Sequence, residues 1–181
     1  MGSLLVISAH AGDVVWRAAG SIALATSAGD RAKVLCLTFG ERGDEVDPSV
    51  VLTHPPADPY NQDHPAAARM ALRARVLAQA AGYDAPGEPL GAPPVFFEPH
   101  QPEQCDFKPD VLLDITPVFD TKRKAMECLP AQQHMWGYYT DLARRRGVQV
   151  KRNAGPDLGL PHKTMGEAYM RLYPQVTDRL S

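Results

Sequence analysis

Leu4-Leu5-Val6-Ile7-Ser8-Ala9-His10-Ala11-Gly12-Asp13 is the stretch that decides the fold. Four apolar residues in unbroken succession describe a strand buried on both faces, as in a parallel sheet covered by helices on either side. Directly after the stretch, Val15, Ala18, Ala19, Ile22 and Ala25 recur at helical spacing, and Gly29 with Asp30 closes that helix. A strand that runs straight into a helix is the first half of a βαβ unit. The chain is therefore expected to be α/β, a mostly parallel sheet flanked by helices. In such open sheets ligands bind at the carboxyl ends of the strands, which is where His10 and Asp13 stand.

Length and charge narrow the possibilities. With 181 residues, 44% of them hydrophobic, the chain holds enough apolar material for one core, so a single domain over residues 1–181 is expected. A formal net charge of -2 gives no electrostatic footprint for nucleic acid, and a small-molecule partner is expected instead. Cys36, Cys105 and Cys128 are odd in number and far apart. They fit neither a disulfide framework nor a CxxC metal site and favour a reducing cytoplasm. No stretch has the basic, then apolar build of a secretory leader, and no apolar run is long enough to span a bilayer; no membrane partner is expected.

Outward from the first unit, residues 33–39 read as a second buried strand, with Gly40-Glu41-Arg42-Gly43-Asp44 leaving its end as His10 leaves the first. Val50-Val51-Leu52-Thr53 reads as a third strand. A parallel crossover takes at least about 10–12 residues including its helix, and residues 40–49 hold no apolar periodicity to build one. Either these two strands are not parallel neighbours, or a crossover segment near residues 44–49 is missing from this chain. A loop rich in proline and polar groups covers residues 54–65, and an Ala- and Arg-rich helix with Met70, Val76 and Leu77 as its buried stripe covers 66–81. After a linker at 85–94, residues 95–97 form a strand entering Glu98-Pro99-His100-Gln101-Pro102-Glu103-Gln104, and 111–115 form the last strand. Thr116 is placed to cap a helix with Pro117 in its first turn, and Pro130 to break or kink it before 132–146 continues. Residues 151–163 are irregular, and 166–180 read as a final helix interrupted at Pro174.

Several residues along this path could carry chemistry. His10 and Asp13, three apart across a strand-to-helix turn, can point into one pocket, and imidazole with carboxylate is a usual zinc ligand set. The same two residues also suit a loop histidine beside a helix N-cap. Asp63-His64 offers a third ligand, with Asp63 orienting the imidazole, and His54 competes for that role. Arg17 lies one helical turn beyond Asp13, where a guanidinium and a helix N-terminus together favour an anion; the alternative is an exposed helix residue. Lys122-Arg123-Lys124 and Arg144-Arg145-Arg146 read as solvated helix faces. His134 and Trp136 suit helix-to-helix or subunit-to-subunit packing, which leaves a homo-oligomer open.

The turn Ala9-His10-Ala11-Gly12-Asp13, the stretch Cys36-Leu37-Thr38-Phe39-Gly40-Glu41 and the run Asp63-His64-Pro65 together resemble the zinc-dependent LmbE/PIG-L de-N-acetylases. The resemblance implies that His10, Asp13 and His64 hold Zn2+, matching the first His and second Asp of the family's His-Pro-Asp-Asp and the last His of its His-Pro-Asp-His. Two positions depart from the pattern. The family's base is Gly12 here, and the His that opens its second motif is Asn61. A metal site without either proton-transfer group is not built for amide hydrolysis, which points to altered chemistry.

A longer likeness runs through Ser8-Ala9-His10 to Val15-Trp16-Arg17-Ala18, Phe39-Gly40-Glu41-Arg42-Gly43, the segment from Phe97 to Gln104, the stretch from Lys122 to Trp136, and Glu167-Ala168-Tyr169. It is similar to the branch of that superfamily that hydrates 4-oxalomesaconate in gallate and protocatechuate catabolism. The resemblance implies a hydro-lyase acting on an oxo-tricarboxylate to give 4-carboxy-4-hydroxy-2-oxoadipate. The family's long stretch between the second and third strands is missing here, at the place where the connection is too short. Adding water to a C=C conjugated with a carbonyl builds charge on oxygen, which zinc or fixed donors stabilise. Glu41 and His100, each following a strand, are the candidates for base and acid, in either order; the plainer readings are a salt bridge with Arg42 and a polar-loop histidine. Arg17 and Asn61 are the candidates to hold a carboxylate. Two other functions stand beside this one: a de-N-acetylase with a rearranged base, and a non-catalytic remnant left by the shortened middle.

Overall fold

Alternation along the strands decides which side of the sheet each residue faces. In β1 (Ser3–Ser8), Leu4 and Val6 face one way and join Val14 and Ala18 of α1 (Ala11–Ser27) in the main core. Leu52 of β3 (Val50–Thr53), Val95 and Phe97 of β4 (Pro94–Phe97) and Tyr169 belong to the same cluster. Ile7 and Val51 face the other way, against Ala71 of α2 (Asp63–Ala78). These are the two helix-covered faces that the unbroken apolar runs predict. The computed structural model describes residues 2–37, 48–80, 89, 91, 94–154 and 163–174.

Among the described residues the sheet has six strands in the order β2-β1-β3-β4-β6-β5, with β2 at Arg31–Cys36, β5 at Val111–Asp114 and β6 at Gly166–Arg171. The pairs β1 with β2, β1 with β3 and β3 with β4 are parallel, whereas β6 runs antiparallel to both β4 and β5. The fold is thus α/β and mostly parallel, as expected. Helices α1, α3 (Phe119–Glu127) and α4 (His134–Asn153) meet on one face through Trp16, Met126 and Tyr139.

Several expectations change. Among the described residues the second strand is an edge strand and not a buried one, since it pairs only with β1 and leaves Val34 half exposed. β2 and β3 are not neighbours but flank β1 on opposite sides, both parallel to it, so their connection is still a parallel crossover, and residues 38–47 of that connection lie outside the described residues. Residues 166–171 form a strand where a helix was expected, so residues 111–114 are not the last strand. Close approach makes this possible. A Cβ at Gly147 of α4 would lie 1.7 Å from the Thr164 carbonyl oxygen, so only glycine lets α4 seat against the chain entering β6. The expected cap at Thr116 is replaced by a 3-10 turn, Thr116–Val118, in which the Asp114 carboxylate accepts from the Thr116 amide and hydroxyl. Pro130 breaks the helix outright, opening a second 3-10 turn, Pro130–Gln132, ahead of α4.

The basic runs are not simply solvated. Lys122 is buried and its Nζ lies 2.8 Å from buried Glu167, and Arg146 clamps buried Glu98 with two nitrogens. Burial pushes the Glu98 carboxyl up, and Arg146 only partly offsets this. Among the described residues no helix is long and apolar enough to cross a membrane, and Cys105 and Cys128 form no disulfide.

Candidate active site

The site assembles at the carboxyl end of the parallel strands, where β1 passes into α1. His10 is the N-cap of α1 and Asp13 is its third residue, not its cap. The Asp13 Oδ2 accepts the His10 amide at 3.0 Å and lies 3.2 Å from His10 Nδ1, so the carboxylate closes the helix end and joins the site at once. His64 arrives from the first turn of α2. Its Nε2 is buried, lies 3.5 Å from Asp13 Oδ2 and has no hydrogen-bond partner among the described residues. His10, Asp13 and His64 each offer one ligand atom within 4.8 Å of the others. A buried imidazole nitrogen left without a partner beside a carboxylate and a second imidazole suits a divalent metal, since N, N and O donors are what zinc and its neighbours take.

The supporting residues differ from expectation. Asp63 does not orient His64; its Oδ2 lies 3.0 Å from His10 Nε2, while Asp58 Oδ2 meets His64 Nδ1 at 2.7 Å. The reason is helical geometry: α2 begins at Asp63, and successive helix residues point about 100° apart, so 63 and 64 face different neighbours. Asp58 is positioned by its own turn, accepting the amides of Tyr60 at 2.9 Å and Asn61 at 3.2 Å. An aspartate in a proline-rich loop ahead of a candidate ligand was the available signal.

His54, the competing ligand, lies fully buried beneath the site. Its Nε2 lies 3.3 Å from Asp13 and accepts the Ala9 amide at 3.1 Å, and its ring stacks on His64 at 4.1 Å. Burial brings its pKa down to about 4, so it is neutral near pH 7. Burial alone would raise the Asp13 carboxyl, but the adjoining His54 and His64 imidazoles and the Arg17 charge hold it well below the usual carboxylate range.

Arg17 is not an exposed helix residue. It is buried, with NH1 3.3 Å from both Asp13 Oδ1 and His54 Nδ1. His100 and Asn61 border the same cavity of about 290 Å³ as His10, Asp13, Arg17 and His64. Burial, then the Arg17 charge, lowers the His100 pKa, and the Tyr138 hydroxyl donates to the His100 carbonyl at 2.6 Å. Glu41 lies outside the described residues. Trp16, Tyr139 and Gln132 also line the cavity and were not expected there, because nothing in a helix stripe distinguishes a core aromatic from a pocket wall.

Comparison with known proteins shows the family and the fold. No known family profile matches the chain. It is 39% identical to a 4-oxalmesaconate hydratase of Pseudomonas putida KT2440, with 99% of this chain and 92% of the relative covered. The crystal structure of GalB, the 4-carboxy-2-hydroxymuconate hydratase of the same organism, superposes with a TM-score of 0.89 at 35% identity over the full length of both chains. Two further structures share the fold. These are the conserved protein TT1542 of Thermus thermophilus (TM-score 0.75, 20% identity, 98% of this chain and 97% of that one) and N,N'-diacetylchitobiose deacetylase of Pyrococcus horikoshii (0.68, 16%, 94% and 83%). The chain belongs to the 4-oxalmesaconate hydratase family, a hydro-lyase branch on the fold that LmbE/PIG-L-type deacetylases also use.

Proposed function

We propose that this protein is a zinc-dependent hydratase that adds water to 4-oxalomesaconate, giving 4-carboxy-4-hydroxy-2-oxoadipate in gallate and protocatechuate breakdown. The observation that carries the reading is one cavity that joins the His10, Asp13 and His64 donor set to Arg17, Asn61 and His100. His10, Asp13 and His64 would hold Zn2+, which when bound supplies a Lewis acid toward the charge that develops on the substrate oxygen. Asp58 holds the His64 ring in register for that task.

Buried Arg17 keeps a fixed positive charge at the cavity wall and binds a substrate carboxylate. Asn61 adds a hydrogen bond from its amide nitrogen, since its Oδ1 already accepts the Asp63 amide at 3.0 Å. His100, its pKa lowered and its loop held by Tyr138, carries one of the two proton transfers, and Glu41 carries the other. Gly12 removes the deacetylase base, which favours hydration over amide cleavage.

The reading includes a single domain over residues 1–181, a cytoplasmic enzyme without nucleic-acid or membrane partners, and a homo-oligomeric state. It also includes the loss of a crossover segment near residues 44–49. The alignment to the P. putida relative runs over 240 positions, more than the 181 residues of this chain, which supports such a loss.

The test combines metal content with the disappearance of 4-oxalomesaconate absorbance in the wild type and in His100→Ala. About one zinc per chain in both, with turnover at least ~100-fold lower in the variant, is expected. Zinc bound by a wild type that leaves the substrate unchanged would overturn the reading.

A further inference from the structure

Gln132 ends the 3-10 turn ahead of α4 and lines the cavity that holds His10, Asp13 and His64. Its Oε1 accepts a hydrogen bond from Trp16 Nε1 at 3.1 Å. An indole N–H can only donate, so the carboxamide is held with its oxygen toward Trp16 and its NH2 turned away. That NH2 has no hydrogen-bond partner among the described residues. A Cβ at residue 12 would crowd the pairing, lying 3.1 Å from Gln132 Oε1 and 3.2 Å from Trp16 Nε1.

Asn61, on the same cavity, is tied in the same manner, with its Oδ1 occupied by the Asp63 amide. A carboxamide free to rotate offers oxygen or nitrogen and accepts donors and acceptors alike. Two carboxamides whose oxygens are each fixed on a donor hold their N–H groups turned the other way, and so favour acceptor ligands.

We infer that Gln132 is a specificity-determining residue: locked by Trp16, it presents its NH2 group to a carboxylate of the bound substrate. The carboxylate is that of the oxo-tricarboxylate, so the inference rests on the hydratase reading. The space beside Gly12 holds the Trp16–Gln132 pair.

The test measures binding of propane-1,2,3-tricarboxylate, which has no double bond to hydrate, by titration calorimetry on the zinc-loaded protein. Gln132→Leu removes the donors without adding charge, and Gln132→Glu keeps the shape and an oxygen for Trp16 while replacing the NH2 with an anionic oxygen. Kd is expected to rise about tenfold in Gln132→Leu and further in Gln132→Glu, with the KM for 4-oxalomesaconate rising in step. Wild-type affinity in Gln132→Leu, or no binding by the wild type, overturns the inference. Weakened binding in both variants of a protein that does not hydrate 4-oxalomesaconate upholds the carboxylate subsite and overturns only the hydratase reading.

Discussion

Asp13 meets four partners with one carboxylate: the His10 amide, His54, His64 and Arg17. Burial opposes its charge, yet the surrounding donors win, so it is ionised throughout the physiological range and can ligate a cation without first losing a proton. His64 depends on a different carboxylate. Because Asp58 holds Nδ1, Nε2 is the nitrogen directed at Asp13 and the candidate metal position. Asp58→Asn is expected to weaken zinc binding about 10–100-fold in a chelator competition, with the unfolding temperature of the metal-free protein little changed. Equal zinc affinity would show that Asp58 does not orient the ligand. At this scale His10, Asp13 and His64 were legible from residue type and resemblance. Asp58 was not, because which of two aspartates meets His64 depends on where α2 starts.

Glu167 links three elements. It lies on β6, accepts the amides of Gly20 at 2.8 Å and Ser21 at 2.9 Å in the middle of α1, and pairs with Lys122 of α3. The Tyr169 hydroxyl lies 2.7 Å from the same carboxylate and 3.2 Å from the Arg17 carbonyl, so the network borders the segment of α1 that carries Arg17. Burial pushes the Glu167 carboxyl up, but Lys122, Ser21 and Tyr169 outweigh it and its pKa is lowered. A carboxyl lowered in the fold adds stability above its unfolded value, about 4.3, and that contribution is lost as pH falls through the folded value. Urea unfolding is therefore expected to show Glu167→Gln less stable than the wild type at neutral pH, with the gap closing below about pH 4.3. Lys122→Met, which leaves a buried carboxylate unpaired, is expected to cost about 3–5 kcal/mol at neutral pH. A gap independent of pH would contradict the ionised network. The basic run at 122–124 looks like a solvated face in sequence because composition does not reveal a buried acid 45 residues away.

Across the whole molecule, a metal bound by the N-terminus of α1 and the first turn of α2 would tie together elements on opposite faces of the sheet. Zinc is expected to stabilise the fold by mass action, about 2.7 kcal/mol at a hundredfold excess over Kd, seen as a rise in unfolding temperature that a chelator reverses. An unfolding temperature indifferent to zinc and chelator would contradict the donor set.

The sequence by itself determined the first strand, its passage into α1, the parallel character of the sheet and the residues gathered at its carboxyl edge. These follow from local periodicity, since an apolar run and a 3.6-residue stripe each dictate one backbone conformation and one buried face. Only the tertiary structure decided that β3 lies beside β1, that residues 166–171 enter the sheet as an antiparallel strand between β4 and β5, and that Gln132 and Tyr139 share a wall with His10. The segment Gly166–Arg171 has only two flanking strands to identify it, β4 and β5, both distant in sequence, and its buried Glu167 reads as exposed until Lys122 is brought beside it. Local pattern states which face a residue turns inward; partners far along the chain decide what that face meets.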